Sequence, residues 1–544
     1  MNTRQLQTDK NQKLYHALLG ILLVCALAMM MLLSYWACKY SYYGAVDGRT
    51  RGVLVGDKTW AHIAVFLAAS LCSMGIDKVL MKKDKSQQEK ICLCTLIVTS
   101  VIAFILGVFY VCKNPYYPVG DQINTTAFAA YCRDGNFSML SIGGYVGMYQ
   151  QQKGLAILYE ILFTLFGDFN YRPAKILHVV WWILTILAGY GFLKLNTDRP
   201  VFRMLYCVMM LGCFPLLFYL PYIYGDVLSI SFGIILFYGV AAYEHSGQKR
   251  YIALASFAAG LAVLARKNTW IVLVAVAVYV LLVSLRKKKV RYLMAGTAIL
   301  LTAALSVKAV DVIYEVRSGY PSGVGIPSIL WVAMGLQETE GRAGVYNRYQ
   351  QATFTDYDCQ QELAAQQGKE YIRERLEEFS QDPGMAFDFF KNKVEGQWIE
   401  PMYAALESTE SFEEGAELSP VLESLYYGEL GRTIWKLTNY YQSILYLAGL
   451  MALVMLGILW WKKKEVPISL WLPWIAVFGG FLFSILWEAK SRYVFPYCVF
   501  MILYAPEGLY QMGLLLCKLP KLRKFKKSGH TQDKGEEAPL RETA

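Results

Sequence analysis

Apolar runs separated by short polar or basic stretches cover most of the chain. They fall near residues 14–36, 59–77, 91–112, 175–194, 202–219, 225–243, 251–265, 269–285, 292–313, 441–460, 468–487 and 493–515. A helix of roughly 20 apolar residues crosses the ~30 Å hydrocarbon core of a bilayer. The pattern therefore predicts an all-α polytopic membrane protein with about twelve transmembrane helices. Two stretches, 113–174 and 314–440, interrupt it. The chain divides accordingly: a three-helix segment over 1–112, a first polar loop over 113–174, six membrane helices within 175–313, a large loop over 314–440, three helices within 441–515, and a basic tail over 516–544 that is polar and disordered beyond about Lys526.

The first loop carries its own local signals. After Asp121-Gln122, the residues Ile123, Ala127, Ala130 and Tyr131 recur at helical spacing. They predict a juxtamembrane helix of about three turns with Asp121 at its N-cap. The apolar run 154–166 is too short to span comfortably and is expected to lie along the membrane surface. In the large loop, amphipathic helices are expected on either side of Asp382-Pro383-Gly384.

Charge then sets the sidedness. If 154–166 does not span, the basic clusters at Lys82–Lys90, Lys194–Arg203, Lys249–Arg250, Arg286–Arg291 and Lys462–Lys464 all fall on one face, which the positive-inside bias makes the cytoplasm. Both termini are then cytoplasmic, and both polar loops are extracytoplasmic. The large loop holds 21 acidic and 10 basic residues, while the whole chain carries a net +11. Basic residues clustered beside apolar runs exclude nucleic acid as the partner and leave membrane lipids. With 56% hydrophobic and 17% charged residues, the composition is that of a cell-membrane protein. No CxxC pair or Cys/His cluster is present, so no metal, cofactor or disulfide framework is expected. The five histidines all lie outside the two polar loops, which leaves acid–base chemistry there to carboxylates, tyrosines and lysines.

Four charged sites fall on the predicted outer face: Asp121, Asp226, Arg266-Lys267, and Arg492 with Lys490 beside it. Taken singly, the acids read as helix caps and the cations as side chains reaching to the interface. As a set they fit a site that binds a lipid phosphate and activates a hydroxyl. Cations neutralise the departing phosphate, and a carboxylate takes the acceptor's proton. In that set Asp226 orients Lys267 or the acceptor.

The order of GDQ at 120–122, YQQQKG ending at Gly154, YGDVLSISF around Asp226, LARKN around Arg266 and SRYVFPY around Arg492 resembles the GT-C polytopic glycosyltransferases. The likeness is nearest to the protein O-mannosyltransferase and aminoarabinose-transferase branch. The chain departs from that branch at Gln122, where an acid is usual, and after Lys153, where a Pro-Pro is usual. The resemblance implies a GT-C-like fold and inverting transfer of a sugar from a polyprenyl-phosphate donor to an extracytoplasmic glycan, lipid or protein of the cell envelope. It implies Asp121 and Asp226 as catalytic acids and Arg266, Lys267, Arg492 and Lys153 as donor-phosphate contacts. Two alternatives share the lipid substrate: a transporter or flippase of lipid-linked sugars, and a polysaccharide polymerase or ligase. A transporter should place charges at mid-membrane depth and show internal repeats. The nearest candidates for buried charge are Lys308 and Asp311, which read as a local pair.

Overall fold

The computed structural model describes residues 3–43, 53–323, 325–464 and 466–529. Among these the protein is all-α apart from two short antiparallel hairpins, Tyr40–Tyr43 with Val53–Gly56 and Glu338–Thr339 with Arg342–Ala343. The expected disorder near the C-terminus falls, from residue 530 onward, outside the described residues.

Nine of the described helices are long and apolar enough to cross a membrane, and the pair Ser491–Met501 and Ala505–Lys518, bent by 59°, brings the number to ten if it is counted as one span. The sequence pattern predicts twelve, and the difference has local causes. The run expected over 202–219 is split into Pro200–Leu211 and Phe214–Phe218. Pro215 opens the second piece and has no N–H to continue the ladder. The run at 251–265 forms the Lys249–Ala265 helix of 17 residues, about 25 Å long. Pro506, just after the start of the Ala505–Gly529 helix, accounts for the bend in the same way.

Both short segments still run from one end of the bundle to the other. At one end Arg203 bonds Glu89 at 2.6 Å, Arg199 reaches Asp77 at 3.3 Å and Lys287 reaches Glu244 at 2.8 Å. Arg199 and Arg203 belong to one basic cluster of the sequence and Lys287 to another. At the other end Lys175 Nζ donates to the Tyr116 carbonyl at 2.8 Å, and Tyr219 Oη donates to the Tyr403 carbonyl at 2.5 Å. Residues 200–219 connect these two ends. So does Lys249–Ala265, which returns antiparallel to Asp226–Ser246 and brings Arg266 beside Asp226.

The two polar loops meet at that second end. Tyr117 N donates to Ser411 O at 2.9 Å, Glu413 N to Pro115 O at 3.0 Å, and Ile326 N to Met148 O at 3.0 Å. The large loop is mostly helical, with Gln361–Gln381 and Pro383–Trp398 meeting at Asp382, whose carboxylate caps Met385 N at 2.9 Å. Lys153–Phe166 is a 14-residue helix. Its Gly154 lies so close to the Leu264 backbone that a Cβ there would stand 2.6 Å from the Leu264 carbonyl. Lys153–Phe166 is thereby docked against the site end of Lys249–Ala265.

Glycine permits the tightest helix crossing as well. A Cβ on Gly508 would stand 1.8 Å from the Ala448 carbonyl, a backbone atom that cannot swing aside. Gly508→Val should therefore lower stability by about 1–3 kcal/mol or more, seen as a lower thermal midpoint in detergent. Gly75, in the Thr59–Leu80 helix, has open space around its Cβ position. Gly75→Ala should leave the midpoint unchanged; equal effects at the two positions would contradict the crossing.

Candidate functional site

Three turns at the site end bring one acid and two guanidinium groups together. Asp226 opens the Asp226–Ser246 helix and is 3% exposed. Its Oδ2 lies 3.4 Å from Arg266 Nη1, and its Oδ1 lies 4.0 Å from Arg492 Nε. Arg266 follows the Lys249–Ala265 helix, and Arg492 lies in the first turn of Ser491–Met501. Glycine allows the approach, since a Cβ on Gly225 would stand 2.0 Å from the Ala265 carbonyl. Arg492 is buried, and its Nε has no hydrogen-bond partner among the described residues. The cluster therefore holds two cations for one carboxylate and an unused buried donor. Such an arrangement is suited to an anion.

Aromatic rings cover the guanidinium groups. Arg266 lies over Tyr224 and Tyr493, and Arg492 over Tyr222, Tyr224 and Tyr493, with centroid distances of 4.9 to 5.5 Å. The rings stabilise the cations where water is scarce. Lys267 is exposed, 3.4 Å from Ser328 Oγ. A cavity of about 100 Å³ adjoins the cluster, bordered by Arg266, Lys267, Tyr493, Glu488 and the stacked indoles of Trp331 and Trp487, which are 5.9 Å apart and inclined by 4°.

Asp121 faces the same region from the first polar loop. It is the first residue of the Asp121–Arg133 helix, and Gly120, at φ +58°, takes the N-cap position. The expected capping role is corrected accordingly: the exposed Asp121 carboxylate accepts from Tyr145 Oη at 2.8 Å instead. Burial first, then the neighbouring Tyr224 and Asp121, pushes the Tyr145 phenol far up, so it stays the donor. The Asp121 charge also acts on Glu488, whose carboxyl burial pushes up to about 7 while Lys490 opposes the shift.

Two expected pairings come out differently. Asp226 orients Arg266, not Lys267. Lys153 is buried and bonded to Asp311 at 2.5 Å and to Ser322 Oγ at 2.8 Å, so its charge is spent away from the Asp226 cluster. Asp311 in turn pairs with Lys153 rather than with Lys308. The sequence reading also missed Tyr145, Tyr224, Trp331, Trp487 and Glu488. Only Glu488 left a trace, as an acid two and four residues before the outer cations Lys490 and Arg492.

No family model matches the chain, and no curated protein matches it. Among solved structures, the archaeal oligosaccharyltransferase AglB from Archaeoglobus fulgidus, in complex with an inhibitory peptide and a dolichol-phosphate, is similar with a TM-score of 0.39 and 12% identity. The match covers 83% of this chain and 53% of that one, so the chain spans about half the length of the protein it matches.

Glu488 gives the site a pH signature. Below its ordinary value of 4.5 the carboxyl is neutral in both folded and unfolded chains. Between 4.5 and about 7 the unfolded chain releases the proton and the folded chain keeps it, so stability falls as pH rises through that window. Thermal midpoints measured across it should decline in wild type and decline less in Glu488→Gln. Parallel profiles for the two proteins would remove Glu488 as the source.

Proposed function

We propose that the protein is a GT-C-type glycosyltransferase that moves a sugar from a polyprenyl-phosphate donor to an extracytoplasmic acceptor of the cell envelope. The observation that carries this reading is the buried surplus of guanidinium charge around Asp226, assembled from three separate turns beside the Asp121 helix. A lipid phosphate supplies the missing anion. Lys267, exposed at the cavity rim, adds a further cation within reach of the same headgroup. Lys153 contributes by holding the Lys153–Phe166 helix to Asp311, a positioning role rather than a phosphate contact.

In the proposed step the acceptor oxygen attacks the anomeric carbon and a new C–O bond forms. The bond from that carbon to the phosphate oxygen breaks, and its electron pair leaves with the phosphate. Arg492 and Arg266 stabilise the growing charge. The proton passes from the acceptor hydroxyl to Asp121, whose carboxylate is exposed and oriented by Tyr145. Attack opposite the phosphate inverts the anomeric centre. Charges at helix ends instead of mid-membrane depth favour this reading over a transporter.

A transfer assay with a purified polyprenyl-phosphate sugar tests it. Arg492→Ala should lose roughly 30-fold or more in kcat/KM, the equivalent of about 2–4 kcal/mol of phosphate stabilisation. Asp121→Asn keeps an oxygen that can accept from Tyr145 and removes the charge, so folding should survive while turnover falls about 10²–10⁴-fold. Wild-type kinetics in a folded Arg492→Ala protein would overturn the phosphate placement, and in Asp121→Asn the base assignment. A cysteine at the exposed position of Ile142, in a chain freed of its native cysteines, should label from outside intact cells. Labelling only after permeabilisation would place the site on the wrong face.

A further inference from the structure

The Glu488 carboxyl stands where two cavities meet. One is the space of about 100 Å³ beside the arginine cluster, which Arg266, Lys267 and Tyr493 also border. The other, of about 820 Å³, lies between the large loop and the hairpin of Tyr40–Tyr43 with Val53–Gly56. Glu488 is 7% exposed. Its Oε2 accepts from Tyr493 Oη at 3.4 Å, and the Tyr493 ring lies against both Arg266 and Arg492. Its Oε1 takes no hydrogen bond among the described residues, yet it is not among the atoms closed off from water. One oxygen is thus tied to the arginine cluster, and the other opens on the cavities and is free for exchange.

The surroundings keep a large share of this carboxyl protonated at neutral pH. Burial pushes it up to about 7; the Asp121 charge acts in the same direction, while Lys490, the Tyr493 hydroxyl and Arg266 oppose it. From the large loop Lys393 faces it too, an ammonium that burial pushes down to about 7 and Glu488 draws back up. The charge balance of the cluster calls for such a proton. Asp226 with Arg266 and Arg492 leaves one positive charge buried, while Lys267 at the rim is exposed to water. A phosphodiester donor brings one negative charge and matches it. The phosphate monoester that departs carries up to two, with a second pKa of about 6. Breaking the sugar bond therefore leaves one charge unmatched beside buried groups.

We propose that Glu488 is the general acid of the transfer, handing its proton to the phosphate as it leaves the sugar. The bond from the anomeric carbon to the phosphate oxygen breaks, its electron pair stays on the phosphate, and the Glu488 proton joins it there. The phosphate then departs with one charge instead of two. The acceptor's own proton has gone to Asp121, so both carboxyls end in the opposite state and must be reset. Asp121 returns its proton to water from its exposed position, and Glu488 regains one through the wide cavity that it also borders. Lys490, on the same turn, stabilises the Glu488 carboxylate in the interval. Two carboxyls in unlike surroundings thereby divide the roles of acid and base. The assignment rests on the transferase reading.

The test follows release of polyprenyl phosphate by the full chain in detergent, from the polyprenyl-phosphate esters of glucose, mannose and aminoarabinose, with water or added envelope extract as acceptor. In wild type kcat/KM should fall as pH rises above about 7, where the acid form of Glu488 is lost. Glu488→Gln should be slower by about 10²-fold at roughly pH 6 and show no fall from about pH 7 to 8. Lys267 and Lys393 still titrate in that variant, so a surviving fall would assign the limb to them and overturn the proposal. Wild-type rates in Glu488→Gln would overturn it as well. Should Glu488→Gln fail to fold, Tyr493→Phe keeps the ring beside both arginines and removes a hydrogen bond that favours the carboxylate. The falling limb should then move to higher pH, and an unmoved limb would count against Glu488. Wild type that releases phosphate from none of the esters would overturn the transferase reading and this one together; release that ignores Glu488 would overturn this one alone.

Discussion

Everything at the site end depends on keeping two arginines beside one aspartate out of water. Taking charges from water costs several kcal/mol each, and a single carboxylate cannot repay two guanidinium groups. The tyrosine faces over Arg266 and Arg492 offset part of that cost. The remainder is met by geometry: the start of one helix, the end of another and the first turn of a third must coincide to within a few ångströms. Gly225, where any Cβ would strike Ala265, is the place where that coincidence leaves no room for another residue. The broken 200–218 segment and the short Lys249–Ala265 helix carry the chain to the same end and so help to deliver these groups there.

Most of the helical architecture was legible in the hydrophobic pattern, because spanning length is a property of composition. The 154–166 run was recognised as a short helix by length alone, and the Asp382-Pro383-Gly384 break appears where proline chemistry puts it. The span count was less legible. Pro215 and Pro506 split or bend apolar runs without lowering their hydropathy, so a pattern of apolar residues reads through them. At the site, sequence reasoning singled out charges at the ends of apolar runs on one predicted face. It found Asp226, Arg266 and Arg492 for that reason, and they converge.

Pairing was the part the sequence could not carry. Lys153 and Asp311 are 158 positions apart, and Lys308 is the nearer cation in sequence, yet Asp311 pairs across two helices with the buried Lys153. Asp121 shows the same limit at short range. Whether it caps its helix depends on Gly120 adopting φ +58°, which frees the carboxylate for Tyr145, 24 residues later. Trp331, Trp487 and Tyr224 were invisible for a different reason: aromatic residues are common in this chain, and only stacking against a cation or another ring distinguishes one from the rest.

The turn from Glu488 to Arg492 separates two environments of opposite need. On one side lies a surplus of buried cation around Asp226, with an unused donor at Arg492 Nε. On the other lies a wider cavity lined by five acids, Glu340, Glu395, Glu400, Glu407 and Glu488. Low local dielectric sharpens the first, because water does not disperse the buried arginine charge. An anion is therefore drawn to the Asp226 side of the turn and repelled from the acidic side. Lys490 stands between them and acts on Glu488, Glu407 and Asp226.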